Sequence, residues 1–145
     1  MKRFLLLLLL YLSGCITDTI YVSFIANVSG KNVFISVVYD KGLLSQQCAI
    51  QALDKKECLQ NQVYETSRAY LSNIDTAEAS VTYLLPHNSK LMLGNETSFP
   101  PRLELIKHIV IMKDTFTKKV FDKAAVIQRL QKKSSSEYEW KLEGI

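Results

Sequence analysis

An alternation of apolar and polar residues with a period of two runs through much of the chain, and it is typical of β-strands with one buried face. Two such stretches lie within residues 19–40, on either side of a short turn that contains Gly30, and they predict a β-hairpin. Because the second stretch is apolar on both faces, we expect it to be a central strand of its sheet. Further strands are predicted at residues 79–85, 90–93, 103–113, 117–121 and 138–142.

The C-terminal part of the chain combines a helical pattern with a final strand. Residues 122–132 begin with Asp122, a favourable N-cap, and Val126 and Leu130 share one face of the predicted helix. The final strand has its apolar residues on one side, so we expect Trp140 to be buried. The same alternation predicts that the glutamates in this region face solvent. These glutamates are Glu137, Glu139 and Glu143.

The predicted elements define a fold class. Residues 41–76 have no clear period, and we expect short helical or irregular pieces there. About seven strands and one helix near the C-terminus predict a mainly β fold, most simply a sandwich. Residues 19–145 are long enough for one domain and too short for two comfortable ones.

The N-terminal residues 1–14 have the pattern of a secretory signal peptide. Lys2 and Arg3 give the segment a positive start, and an apolar stretch follows at residues 4–12. As a helix this stretch would rise only about 14 Å, roughly half of the hydrocarbon core of a bilayer. It is therefore too short to be a spanning anchor.

The order Leu12-Ser13-Gly14-Cys15 at the end of this segment resembles the lipobox of bacterial lipoproteins. The resemblance implies cleavage before Cys15, diacylglycerol on its sulfur and an amide-linked acyl chain such as palmitate. Two or more chains would anchor the protein stably in a membrane. Ile16 stands where an aspartate is associated with retention in the inner membrane, so the outer membrane is favoured. The alternative is an ordinary signal peptide, cut after Gly14 or Cys15, and a soluble secreted protein.

The cysteine count fits an exported protein. If Cys15 carries lipid, Cys48 and Cys58 remain as a pair in an oxidising compartment, where disulfides persist. In one continuous helix their Cα atoms would lie about 15 Å apart, so a bridge requires a turn. The polar residues 54–57 are predicted to supply it. The alternative, two free thiols at a metal or redox site, does not have CxxC spacing.

The charge balance excludes one class of partner. The 145 residues have a formal net charge of +4, and removal of residues 1–14, with two of the 18 basic residues, leaves +2. So small a charge does not favour nucleic-acid binding. Basic residues are concentrated in 102–133, where they are either solvated or face anionic headgroups or an acidic partner. Residues 16–18 would hold the first strand within about 10–15 Å of the lipidated cysteine.

The sequence contains no GxSxG, P-loop, GxGxxG or HExxH motif. His87 is expected in a turn and His108 in a strand, and a hydrolase would need one of them beside a serine and a carboxylate. The alternating glutamates would suit a glycosidase only as a carboxylate pair, and a solvated strand face is the simpler interpretation. We therefore predict no catalytic residue, no cofactor and no metal site.

These features predict a membrane-anchored lipoprotein of the bacterial cell envelope that acts as a binding or scaffolding module, without catalysis, for a protein partner. A lipid-anchored hydrolase and a soluble secreted protein are the alternatives. The mature domain is also loosely similar to small bacterial lipoproteins with Ig-like or transthyretin-like sandwiches. The predicted hairpin around residues 27–31 and the two strands of residues 106–121 carry that similarity.

Overall fold

The computed structural model describes residues 19–62, 69–97, 103–113 and 117–144. This part of the chain is mainly β, as predicted, with nine strands and three short helices. The strands are β1 (Tyr21–Asn27), β2 (Val33–Tyr39), β3 (Tyr70–Asp75), β4 (Ser80–Leu85), β5 (Lys90–Glu96), β6 (Ile106–Met112), β7 (Lys118–Asp122), β8 (Gln131–Lys132) and β9 (Glu137–Leu142). The helices are α1 (Lys41–Gln51), α2 (Lys55–Asn61) and α3 (Lys123–Arg129).

The strands form two sheets that share one core in a sandwich-like arrangement. The smaller sheet has the order β5-β1-β9-β8, and the larger sheet has the order β3-β4-β2-β6-β7. Neighbouring strands are antiparallel, except that β1 and β9 are parallel. Apolar side chains of both sheets meet in a single buried cluster. Its members include Ile25, Leu91, Trp140 and Leu142 of the smaller sheet and Ile35, Val37, Val81, Ile109 and Ile111 of the larger one.

The predicted hairpin at residues 19–40 is wrong, because β1 and β2 lie in different sheets. The connection between them crosses from one sheet to the other and is fixed by Asn27, which is fully buried. Its side-chain amide nitrogen donates to the carbonyl oxygens of Lys31 (2.7 Å) and Leu85 (2.9 Å). Both edges of β1 are taken by β5 and β9, so no edge is left for β2. β2 is instead a central strand of the larger sheet, as its apolar character on both faces predicts.

The remaining elements lie close to the predicted ones, with additions. β5 continues to Glu96, where the sequence predicts a loop from residue 94. Strand β3 lies where helical or irregular pieces are expected. The helix predicted at residues 122–132 is too long, because it ends at Arg129 and β8 takes Gln131 and Lys132. Helices α1 and α2 are the helical pieces expected within residues 41–76, so the C-terminal helix is one of three in the described part of the chain.

Helices α1 and α2 bring the sulfur atoms of Cys48 and Cys58 to disulfide distance, with Cα atoms 5.5 Å apart. The sequence predicts the turn between them at residues 54–57, and this prediction is wrong. The turn lies at Ala52, which has a left-handed φ of 53° after the end of α1. Asp54 then caps α2 by accepting a hydrogen bond from the Glu57 N–H at 2.8 Å. Because aspartate is a strong N-cap, the polar segment starts a helix instead of forming the turn.

Trp140 is buried, as predicted, where the two sheets meet at β9 and β7. Only 6% of its surface is exposed. Its ring meets the Phe121 ring edge-on, with centroids 4.9 Å apart, and the Arg129 guanidinium of α3 lies 5.8 Å from its centroid. Asp122 caps α3 by accepting from the Ala125 N–H at 2.7 Å, which confirms the predicted helix start. The final strand thus closes the smaller sheet against β7 and α3.

Glu139 does not face solvent, contrary to the prediction, because only 7% of it is exposed. Its Oε1 atom lies 2.6 Å from the Lys90 Nζ and 3.4 Å from the Lys133 Nζ. Burial opposes ionisation, but the Lys90 hydrogen bond and the two positive charges outweigh it and lower the pKa of Glu139 below its ordinary 4.5. The hydrogen bond with Glu139 raises the pKa of Lys90. Two long lysine side chains therefore enclose a carboxylate that alternation alone would leave in water.

Candidate functional site

The larger sheet has one face in the core, and the opposite face, here called the outer face, points away from it. Strand register places four apolar residues side by side across this face: Tyr70 beside Leu84, Leu84 beside Phe34, and Phe34 beside Met112. We call these four residues the apolar row. Lys118 of β7 continues the same line. Because neighbouring strands are about 4.8 Å apart, the five side chains extend over roughly 20 Å.

Several apolar side chains of the outer face are well exposed. Tyr70 is 61% exposed and Phe34 is 39% exposed. A second line of residues runs beside the apolar row from Ser36 through Val110 to Val120, and Val120 is 64% exposed. Monomeric proteins rarely expose a large contiguous apolar patch, so such a patch marks an interaction surface.

The helices of the described residues do not cover the outer face. Leu44 of α1, Leu59 of α2 and Val126 of α3 are all fully buried members of the core between the sheets. The helices therefore pack on the inner side and at the margins of the larger sheet. Among the residues that the structure describes, the outer face is left to its own side chains.

The apolar row lies at one end of the strands. The buried Asn27, at the end of β1, is bonded to the carbonyl of Leu85, and the neighbouring residue Leu84 belongs to the apolar row. We call this the Asn27 end of the domain, and the opposite end, where β1 begins, the Tyr21 end. β1 runs between them over about 20 Å. The chain therefore enters the domain at the end far from the apolar row.

The two histidines occupy the predicted turn and strand. His87 lies in the turn after β4, and its Nδ1 atom accepts a hydrogen bond from the Gly30 N–H at 3.1 Å. Gly30 has a φ of +82°, a conformation that favours glycine. His108 lies on β6 with Val38 and Asp122 as its neighbours across the sheet. In the part of the chain that the structure describes, neither imidazole is hydrogen bonded to a serine hydroxyl or a carboxylate.

A cleft of about 620 Å³ opens between α1, the end of β5 and the start of β6. Its polar lining includes the side-chain amides of Gln47, Gln62 and Asn95. The Gln47 Oε1 atom is buried without a hydrogen-bond partner among the described residues. The Glu96 carboxylate is engaged, because it accepts the Leu103 N–H at 2.6 Å. The cleft offers hydrogen-bonding groups and lies at the Tyr21 end, away from the apolar row.

The basic segment of residues 102–133 does not form one charged face. Lys107 and Lys123 lie at the Tyr21 end, since they flank the paired residues His108 and Asp122. Lys118 lies at the Asn27 end, opposite Met112. The folded chain therefore divides these cations between the two ends of the domain, about 20 Å apart.

No protein-family model, curated protein or solved structure matches the chain. Within residues 19–62, 69–97, 103–113 and 117–144 no three His, Cys, Asp or Glu residues are grouped so that they could hold a metal ion. No helix of these residues is long and apolar enough to cross a membrane. The predicted signal peptide, the lipidation site Cys15 and the tether at 16–18 lie outside the described residues. The lipobox and the outer face are therefore the basis for a functional proposal.

Proposed function

We propose that the protein is a lipid-anchored lipoprotein of the bacterial cell envelope that acts as a binding or scaffolding module, without catalysis. Support for the anchor comes from the lipobox order of residues 12–15. Support for binding comes from the outer face of the larger sheet, on which Tyr70 and Phe34 are exposed. The outer membrane remains the favoured location because Ile16 follows the cysteine.

The main support for a protein partner is the distance between the point where the chain enters the domain and the apolar row. β1 begins at Tyr21, and the segment from Cys15 to Tyr21 can span at most about 20 Å. This tether is two residues longer than the sequence pattern suggests, yet it still keeps the Tyr21 end beside the bilayer. The apolar row then lies about 20 Å farther along the strands. A surface held away from the membrane serves a protein partner better than it serves lipid.

The finer description of the fold is also a proposal. Two sheets, antiparallel apart from the β1–β9 pair, with one shared core support an Ig-like or transthyretin-like sandwich. A sandwich of this kind is a rigid scaffold that can position binding residues at its surface, which suits a binding module.

Lipidation is tested on the full-length chain expressed in a bacterium. Mass spectrometry of the mature amino terminus should show an acylated Cys15, and the protein should fractionate with membranes. Cys15→Ser is the matched control and should move the protein to the soluble fraction. An unmodified Ile16 as the first residue would contradict the anchor.

Binding through the outer face is tested with a photo-reactive amino acid at position 70, in the apolar row. A second chain carries it at Ile50 of α1, which is 85% exposed but lies outside the outer face. Illumination of intact cells should give a discrete crosslinked species from position 70 and none from position 50. Equal crosslinking at both positions, or none at position 70, would contradict a binding role for the outer face.

A further inference from the structure

We infer that the partner of the outer face is a second copy of this chain, packed face to face through the two larger sheets. The inference rests on the proposed lipid anchor and names the partner of the surface described above. It follows from the symmetry of the apolar row, from the side chains that this symmetry brings together and from where the chain enters the domain.

The apolar row is self-complementary about its middle residue. β2 is the third of five strands, so Phe34 lies at the centre of the line that runs from Tyr70 to Lys118. A two-fold rotation about an axis parallel to the strands places each Phe34 opposite its counterpart in the second copy. The same rotation places Leu84 opposite Met112 and Tyr70 opposite Lys118. A two-fold interface requires this kind of reciprocal match.

The matched side chains are chemically compatible. Phenylalanine meets phenylalanine and leucine meets methionine, so exposed apolar surface is removed from water. At each end of the row a lysine ammonium faces a tyrosine ring, which is a favourable cation–π pair. The like charges Asp75 and Asp122 meet in the row of Val38, which is four residues, or about 14 Å, from the apolar row toward the Tyr21 end. The contact is therefore centred on the apolar row.

The lipid anchor selects this axis among the possible two-folds. An axis parallel to the strands leaves both Tyr21 ends on the same side of the dimer, so both Cys15 anchors can enter one membrane. An axis across the strands would put the two Tyr21 ends on opposite sides, more than a tether length from a common bilayer. Aligned strands are also a favoured geometry when two sheets pack face to face.

The size of the face predicts where the dimer forms. The outer face measures roughly 20 Å by 20 Å, so it provides on the order of 400 Å² of projected area from each copy. A stable dimer in solution needs about 800 Å² from each partner. Two copies anchored in one membrane have a much higher effective concentration, which compensates for a small interface. We therefore expect a monomer in dilute solution and a dimer on the membrane.

Site-directed thiol crosslinking in cells that express the full-length chain tests the axis. Packed sheets lie about 10 Å apart, beyond the Cα separation of a direct disulfide, so a short bis-maleimide is the probe. Phe34→Cys should give a product of twice the monomer mass, because residue 34 lies on the axis. Tyr70→Cys alone and Lys118→Cys alone should give little product, whereas cells that co-express both should give a strong one. Ile50→Cys, on α1, is the exposed control and should give none.

The pattern of products decides the inference. Crosslinking of Ile50→Cys as strong as that of Phe34→Cys would mean random collision and would overturn the dimer. Membrane-bound chain with no product from Phe34→Cys, or with a product of another mass, would assign the face to lipid or to a different protein. Fractionation of the same cells reports the anchor separately. Soluble chain that still crosslinks at residue 34 would refute the anchor and retain the dimer.

Discussion

Each sheet has a phenylalanine on its outer face, and the two rings differ in whether charged side chains cover them. On the smaller sheet, Phe24 lies beside Glu139 of β9, and the Lys90 ammonium lies 5.3 Å above its ring centroid. Glu139 holds that lysine in place, with Lys133 on its other side. On the larger sheet, Phe34 has Leu84 and Met112 beside it and remains 39% exposed. In the described part of the chain, one face is covered by its own charged side chains and the other is left open.

This difference shows that strand alternation alone does not make a surface available for binding. Both phenylalanines stand at positions that alternate with core residues, Ile25 on β1 and Ile35 on β2. On the smaller sheet, the buried carboxylate of Glu139 pairs with two lysines, and one of them, Lys90, lies over the Phe24 ring. The larger sheet has no such carboxylate among the neighbours of Phe34 in the described residues. Among the described residues, the open apolar row is therefore a property of the larger sheet, and it is the feature that a partner would use.

A change in the core that supports both faces should cause the greatest loss of stability. Trp140→Ala removes the ring that packs against Phe121 between β9 and β7. A buried tryptophan contributes about 3–5 kcal/mol, a large share of the 5–15 kcal/mol of a small domain. Chemical denaturation should show that loss, with both faces disordered together. A transition that remains within about 1 kcal/mol of the parent protein would contradict a shared core.

A smaller effect is expected when the covered face is opened. Glu139→Gln keeps the shape of the side chain but leaves Lys90 and Lys133 without their counter-charge. Loss of a hydrogen bond to a charged group costs roughly 1–3 kcal/mol. Urea denaturation at neutral pH measures this loss, and Glu143→Gln, in the chain beyond β9, is the matched control with no expected change.

The same carboxylate predicts a pH dependence with a definite sign. The pKa of Glu139 is lowered in the folded protein, so its contribution is present above the ordinary value of 4.5 and is lost as the pH falls through the folded pKa. The parent protein should lose stability on acidification below pH 4.5, and Glu139→Gln should lose less over the same interval. If the free energy of unfolding falls equally with pH in the two proteins, the ion pair of Glu139 does not contribute to stability.

The smallest effects compare the two phenylalanines directly. Phe24→Ser removes a ring covered by Lys90 and should lower the free energy of unfolding by about 1–2 kcal/mol, because the folded variant no longer buries the apolar area of that ring. Phe34→Ser removes a ring that is already open to solvent and should cost less than about 1 kcal/mol. Thermal or urea denaturation of the two variants measures the order. A larger loss for Phe34→Ser would mean that the outer face of the larger sheet is covered.

The sequence predicts the class of fold better than its connections. Alternation finds most of the strands, and the N-cap at Asp122 and the buried Trp140 follow from local rules. The pairing of β1 with β9 depends on residues more than 100 positions apart, which no local pattern encodes. The burial of Glu139 likewise depends on Lys90, a residue of another strand.

For the outer face of the larger sheet as well, the sequence predicts single strands but does not predict which strands lie side by side. The apolar character of β2 on both sides is visible in the sequence, and it correctly predicts a central strand. Strand β3 carries exposed Tyr70 and Leu71 without regular alternation, so its pattern does not predict a strand. The apolar row exists only because β3, β4, β2 and β6 come together in one register. Its discovery therefore requires the folded chain.

We expect the outer face of the larger sheet to be occupied by its partner when the chain is anchored in a membrane. The direct test is the rate of maleimide labelling of Phe34→Cys in the membrane-anchored chain, divided by the rate in the soluble Cys15→Ser chain. We predict labelling several-fold slower in the anchored chain, while Phe24→Cys on the covered face reacts at the same rate in both. Equal rates at residue 34, or an equal slowing at residue 24, would contradict the claim.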